Sequence, residues 1–367
     1  MYLKKIELKN FRNYEKQEIL FDEKINIITG KNAQGKTNLL ESLYIMSLGK
    51  SFRTNRDIDM IGFGKDYFRA KSTSIKDGRE LEIEISIGKE GKIIKINGSK
   101  AERNIDILEN VFMVVFSPED LKIVKEEPEK RRRFIDRELC QLKPVYYKNL
   151  GRYKKILHQR NSLLKQQEIN EDLLSVWDEN LAEYGAKIIQ ERSRFIEKLS
   201  EIGKDISKSI TNGKEMLEIS YEANVDKKES LDEQIYYLKK AIRKNIKYDI
   251  FRRNTSVGPH KDDLKLSIEG IDIRRFGSQG QQRTAALSLK LAEIEMIKEE
   301  TGVSPILLLD DVLSELDQER QRFLIGYMDE IQIFITTTEL NKELKKNMLE
   351  GKAFFVENGK VTEMEKN

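Results

Sequence analysis

The sequence predicts an α/β protein: a mixed central sheet built from both ends of the chain, an antiparallel β subdomain, and an inserted α-helical arm. Three observations predict it. Residues 25–28 and 306–309 are continuous apolar runs, the pattern of parallel strands covered on both faces. Residues 67–96 alternate apolar and polar side chains, the pattern of half-buried antiparallel strands. Residues 119–250 are charged text with helical spacing and only two prolines, Pro128 and Pro144.

Taken in order, residues 2–29 read as two short strands. A glycine loop follows at Gly30, and residues 38–43 have a helical pattern. Residues 68–75, 81–87 and 93–96 read as hairpin strands, punctuated by Asp77-Gly78, Glu90-Gly91 and Asn97-Gly98. Residues 111–116 form a buried-strand pattern closed by Ser117-Pro118. In the arm, Leu173, Trp177, Leu181, Tyr184, Ile188, Phe195 and Leu199 keep helical spacing and read as a bundle core. Leu150, Tyr153, Leu157 and Leu164 suggest an antiparallel partner helix. Strands return at 264–268 and 271–273, split by Glu269-Gly270. A long helix then covers about 279–300, and residues 306–311 end a strand in two acids. The chain finishes as strand 332–336, helix 340–349 and strand 353–356. The domain boundaries follow: 1–118 and 254–367 form one head, with 119–253 as the inserted arm.

Composition narrows the class. The chain has 367 residues, 35% of them charged, and a mean hydropathy of −0.60. Much helical surface therefore faces water. The net charge is only +3, so any nucleic-acid surface must be a local patch. Cys140 is the single cysteine, which excludes an internal disulfide and fits a reducing cytoplasm. The first residues lack the long apolar core of a signal peptide, and no run approaches the length of a membrane span.

The chemistry begins at Gly30-Lys31-Asn32-Ala33-Gln34-Gly35-Lys36-Thr37, followed by Asn38. This is the G-x-x-x-x-G-K-T phosphate loop between a strand and a helix. Its glycines permit a tight turn whose amides point at phosphate, and the helix start adds positive potential. Lys36 is expected between the terminal phosphates of ATP, and Thr37 on Mg²⁺. Four apolar residues ending in Asp310 match the partner strand, whose carboxylate holds the same metal with Thr37. Asp311 is the candidate general base or water-orienting group. Ser278 is a good N-cap for a helix opening Ser278-Gln279-Gly280-Gln281, and free amides there suit an anion.

The order of these segments, with Ser314-Glu315-Leu316-Asp317 after the acidic pair, resembles the ABC-type ATPase head. Further segments narrow the resemblance. They include residues 8–14, 35–41, 48–53, 116–121, 131–136, 257–263 and 278–283. Together they are similar to the RecF family of bacterial recombination and repair proteins, relatives of the Rad50 and SMC heads. That resemblance implies an ATP-dependent homodimer in which Ser278, Gly280 and Gln281 of one subunit close on the ATP of the other. It implies binding to single-stranded and gapped or junction DNA, action with RecR and RecO to load RecA, and roles in replication, repair and the SOS response.

Three positions depart from the ABC pattern. Asp311 stands where glutamate is usual, Thr336-Thr337-Thr338 where a histidine often stands, and no glutamine is evident between 111 and 121. Each favours a slow ATP switch over fast turnover. Arg12 and Arg53 are candidates to reach the nucleotide. Lys130-Arg131-Arg132-Arg133 is either a phosphate patch or a solvated helix face. Arg243, Lys244, Lys247, Arg252 and Arg253, interleaved with Tyr248 and Phe251, suit a single strand or simply flank core aromatics. His158 and His260 lack metal-ligand companions, so no zinc site is expected, and His260 reads as a turn residue or interface contact. Competing readings are a transporter nucleotide-binding subunit, a structural SMC-like head and an ATPase with a nuclease arm.

Overall fold

The computed structural model describes residues 1–326, 331–338 and 351–365. It comprises two compact units, Met1–Leu121 with Glu293–Asn367, and Lys122–Ala292.

The first unit holds two six-stranded sheets. In the central one the spatial order is Lys360–Glu363, Lys352–Glu357, Ile25–Thr29, Ile333–Thr337, Ile306–Asp310 and Met113–Phe116. All neighbours are parallel except the edge strand Lys360–Glu363. Both apolar runs expected at the centre are there. Every residue of Ile25–Thr29 and of Ile306–Asp310 is buried. Such burial on both faces suits these Ile- and Leu-rich segments, and the buried amide of Asn26 is paired by donating to Asp22 O at 2.8 Å. The terminal hairpin turns on Asn358-Gly359, both in the left-handed region, a turn that sequence reading did not mark. The expected helix 340–349 lies outside the described residues.

The second sheet of this unit is antiparallel throughout, in the order Tyr14–Leu20, Tyr2–Phe11, Phe68–Lys76, Arg79–Gly88, Gly91–Ile96 and Ser99–Lys100. Asp77-Gly78 and Asn97-Gly98 adopt the positive φ values of primed hairpin turns. Three strands, not two, precede the glycine loop: Tyr2–Phe11, Tyr14–Leu20 and Ile25–Thr29. The first turn was hidden because it contains no glycine. Arg12 itself takes φ 51° and its amide bonds Met60 O. Gln332 ties this sheet to the central one. It accepts from Leu3 N at 2.7 Å and donates to Leu3 O at 2.8 Å.

The second unit contains the helices Pro128–Leu142, Pro144–Leu163, Glu171–Ile210, Leu231–Lys244 and Ile246–Arg252. Asn170 caps the 40-residue helix by accepting from Leu173 N, and Ser230 with Glu233 forms a reciprocal capping box on the next. Leu181, Ile188, Phe195 and Leu199 are buried as the helical stripe predicts. Leu173, its first expected member, is 43% exposed; the neighbouring Leu174 packs on Leu163 and Leu164, with Trp177 against them. A strand at Leu217–Glu222 was not anticipated, although its apolar–polar alternation was readable. It pairs antiparallel with Asp263–Ile268, which also pairs with Ile271–Asp272. This pairing packs residues 254–292 with the helices.

Arg160 and Arg192 lie inside this unit. Arg160 donates to Asp178 at 2.6 Å and to Asp249 and Thr255 at 2.8 Å. Arg192 pairs with Asp136 at 2.8 Å and donates to Pro259 O at 2.7 Å. Buried charge is tolerated because each guanidinium meets carboxylates, with the Thr255 hydroxyl beside Arg160 and Pro259 O beside Arg192. His260 completes the network. Its Nε2 faces Thr255 O at 3.1 Å and therefore donates, leaving Nδ1 to accept from Tyr153 OH at 2.6 Å. Burial lowers its pKa to about 4. His260 is thus a neutral pin between helix and turn.

Candidate functional site

The glycine loop runs from the buried strand Ile25–Thr29 into the helix Lys36–Leu48. Gly30, Ala33 and Gly35 all have positive φ. A Cβ at Gly30 would lie 2.3 Å from Val356 O, so only glycine fits there. Lys31, Asn32 and Ala33 are exposed at the outer turn. The Lys36 side chain is buried and folds back over the loop. It donates to Gly30 O at 2.8 Å and to Lys31 O at 3.3 Å.

Thr37 and Asp310 come together. Thr37 Oγ1 donates to Asp310 Oδ1 at 2.9 Å. Thr336 Oγ1 donates to the same oxygen at 2.9 Å and accepts from Asp311 N at 2.8 Å. The threonine standing at a frequent histidine position therefore holds both acids. Burial raises the pKa of Asp310, opposed by the bonds from Thr336 and Thr37. The backbone turns sharply at Asp311, which takes φ 51°. Consecutive carboxylates thereby diverge: Asp310 bonds Thr37, while Asp311 Oδ2 lies 3.9 Å from Lys36 Nζ. A non-glycine residue in the left-handed region carries local strain, as at many functional turns.

Several bracing residues were not identified from sequence. Asn13 Nδ2 donates to Gln34 O at 2.9 Å, and Tyr14 OH donates to Gly35 O at 2.9 Å. Asn38 donates to Asn13 at 2.8 Å and accepts from Arg53 at 2.7 Å. From the far edge of the sheet, Asn358 N donates to Gln34 Oε1 at 2.8 Å. Glu41 is fully buried below the loop and takes a bidentate pair from Arg12 at 2.7 and 2.8 Å. Arg53 lies 3.5 Å from the same carboxylate, and Ser51 also bonds it. Arg12 and Arg53, expected only as ligand contacts, are thus anchored to the helix by Glu41. Asn13, Tyr14, Glu41 and Ser51 stood in the sequence only as members of the segments 8–14, 35–41 and 48–53, and Asn358 carried no signal.

After the acidic pair, Asp317 caps the helix Gln318–Gly326 by accepting from Arg320 N at 3.0 Å. This bond, ahead of the Arg320 charge, lowers the Asp317 pKa. In the second unit, Ser278 N donates to Gln281 Oε1 at 2.9 Å and Gln281 N donates to Ser278 Oγ at 3.2 Å. The S-x-G-Q segment is therefore a reciprocal capping box on an exposed helix start. Gln282 holds the preceding loop through Gly277 O at 2.9 Å.

The fold absorbs Arg131 and Arg132 of the cluster at residues 130–133, while Lys130 and Arg133 stay exposed beside Glu126 and Glu129. Arg131 is buried and pairs with Asp263 at 2.7 and 2.8 Å. Arg132 donates to Asp262 O at 2.6 Å, and Arg133 pairs with Glu129 at 3.0 Å. Among the described residues, no group of three or more His, Cys, Asp or Glu side chains is placed to hold a metal ion, and no helix is long and apolar enough to cross a membrane.

A family model described as the RecF/RecN/SMC N terminal domain matches residues 2–362. The DNA replication and repair protein RecF of Clostridium acetobutylicum is 45% identical, over 99% of this chain and 100% of that protein. RecF of Clostridioides difficile is 43% identical, over 100% of this chain and 99% of that protein. A solved structure of the recombination mediator protein RecF-ATP in the RecFOR pathway superposes with a TM-score of 0.91 at 40% identity, covering 99% of this chain and 98% of that one. An SMC head bound to the C-winged helix domain of ScpA has a TM-score of 0.55 at 18% identity, covering 99% and 98%, a likeness of fold alone. Similarity of this depth, running through both units and nearly the whole of each RecF relative, makes the chain a member of the RecF family of DNA replication and repair proteins.

Proposed function

We propose that this chain is an ATP-operated DNA-binding switch of recombinational repair. The observation that carries the reading is the 2.9 Å bond between Thr37 Oγ1 and Asp310 Oδ1. A hydroxyl and a desolvated carboxylate held together are the hard oxygen donors that Mg²⁺ takes beside a triphosphate. The rest of the donor set fits ATP as well. The loop amides of Gly30 to Thr37 and the start of the Lys36–Leu48 helix bind phosphate. Lys36 exchanges its carbonyl partners for phosphate oxygens, and Asn38 orients the loop through Asn13 and Arg53. When bound, ATP supplies the phosphates and Mg²⁺ the charge that neutralises them.

Asp311 accepts a proton from, or orients, the attacking water. Its short side chain suits slow hydrolysis. Ser278, Gly280 and Gln281 of a second copy offer an exposed helix start to the terminal phosphate, so nucleotide joins two subunits. The closed dimer holds single-stranded or gapped DNA, and with RecO and RecR it promotes loading of RecA. The solved RecF-ATP structure in the RecFOR pathway supports both the ligand and the setting.

Sedimentation with and without ATP tests the reading. Wild type should shift from monomer to dimer on ATP. Lys36→Ala should lose ATP binding, Ser278→Arg should bind ATP without dimerising, and Asp311→Asn should accumulate the dimer. An ATP-independent monomer in wild type would sink the model. Binding to gapped, single-stranded and duplex DNA with and without ATP then fixes the substrate.

A further inference from the structure

We propose that the turn Asn358-Gly359 positions the phosphate-binding amides of the glycine loop, a reading that rests on nucleotide being the ligand of that loop. Strand register brings the turn there. Lys352–Glu357 runs parallel to Ile25–Thr29, with Phe355 opposite Thr29. Its last residues therefore continue past the end of that strand, beside the loop that leaves it. Val356 O is the atom that leaves no room for a Cβ at Gly30. Asn358 and Gly359, at φ 48° and 71°, then fold the chain back. A Cβ at Gly359 would lie 2.1 Å from Asn13 O, so the turn sits directly against the Asn13 main chain.

Both amides of the turn end on Gln34. Asn358 N donates to Gln34 Oε1 at 2.8 Å, and Gly359 N donates to Gln34 O at 3.1 Å. Asn13 Nδ2 donates to the same carbonyl at 2.9 Å. A carbonyl held by two donors cannot turn freely. The peptide is planar and trans, so the Gly35 N–H is fixed pointing the opposite way. The next peptide is held in the same manner. Gly35 O accepts from Tyr14 OH and from Leu39 N, both at 2.9 Å, which aims the Lys36 N–H out of the helix start.

These outside bonds answer a local weakness. Gly35 takes φ 122°, a conformation that favours glycine, and glycine is also the residue that rotates most easily. An anion site made of amides binds well only when they are aimed before the ligand arrives. The stiffness that Gly35 lacks comes from Asn13, Tyr14 and a hairpin 324 positions further along the chain. Asn358 and Gly359 are therefore positioning residues, acting on the ligand through Gln34.

The test is isothermal titration calorimetry of the full chain with ADP and with ATP. Gln34→Met removes the Oε1 acceptor at similar size. Gly359→Ala adds a methyl for which the Asn13 main chain leaves no room. Each should weaken both nucleotides about tenfold. The double variant should bind as the weaker single variant does, because both changes release the same clamp. Without ligand, Gln34→Met should melt as wild type does, which places its loss in binding alone. Should Gly359→Ala fold poorly, Gln34→Met decides by itself. Wild-type affinity in Gln34→Met, a lower ligand-free melting temperature in that variant, or losses that multiply to about a hundredfold in the double variant overturns the proposal. ADP binding does not read dimerisation, so the ATP-driven dimer can fail while the clamp holds. A wild-type chain that binds neither nucleotide overturns both readings.

Discussion

Thr37 Oγ1 donates to Asp310 Oδ1 across 273 positions of sequence, at 2.9 Å. The helix after the glycine loop and the end of a neighbouring strand are thereby locked at one oxygen. Thr336 donates to that oxygen too. The carboxylate is desolvated and its pKa is raised, so its charge is held at a cost in the ligand-free protein.

Asp310→Asn should relieve that cost while keeping an acceptor for both threonines. The ligand-free variant should melt higher, by roughly 2 °C. It should lose the further rise that wild type shows on adding Mg²⁺ and ATP. Differential scanning calorimetry with and without ligand reads both effects.

Thr336→Val should separate the two acids. The buried strand end loses a donor to Asp310 and an acceptor for Asp311 N. Leaving such groups unpaired costs about 1–3 kcal/mol. Urea denaturation should show that loss. ATP hydrolysis should fall more than ATP binding, because Asp311 loses its hold.

Glu41→Ala should be more damaging than its distance from the loop surface suggests. It removes a fully buried carboxylate and leaves the Arg12 guanidinium without its bidentate partner. A loss of about 3 kcal/mol is expected, read by urea denaturation. Glu41→Gln should recover part of it.

His260 sets a pH dependence of defined sign. Its pKa is about 4 in the folded chain against the ordinary 6.5. The unfolded chain therefore takes the proton first, and stability drops as pH falls from about 6.5 to about 4. The full loss is about 3 kcal/mol. Asp178 and Asp262 nearby have raised pKa values from burial and respond in the opposite direction. The comparison is thus wild type against His260→Gln, whose stability should fall less between pH 6.5 and 4. Parallel curves would refute this role for His260.

The chemistry legible in the sequence was the chemistry that chain neighbours make. The glycine loop, the N-cap at Ser278 and the turns at Asp77-Gly78 and Asn97-Gly98 are local, so residue types within a few positions reveal them. The apolar runs at 25–29 and 306–310 revealed central strands because only a sheet covered on both faces accepts them. The strand Leu217–Glu222 was obscured by long helical text on its N-terminal side, and the turn at Arg12 by its lack of glycine.

What the sequence alone determined is the catalogue of parts: loop, acidic strand end, capped helix and helical arm. Tertiary structure decided which charges are spent. Arg131 reads in the sequence as part of a phosphate patch or a solvated helix face, yet it is buried against Asp263, 132 residues away; Arg160 and Arg192, which no motif marks, are buried against Asp249 and Asp136, 89 and 56 residues away. Lys244, Lys247 and Arg252 read as a basic stretch and stay exposed. A charge in the chain has no fixed role until folding either gives it a partner or leaves it in water. Composition cannot tell the two outcomes apart, because the desolvation and pairing that separate them arise only when distant segments meet.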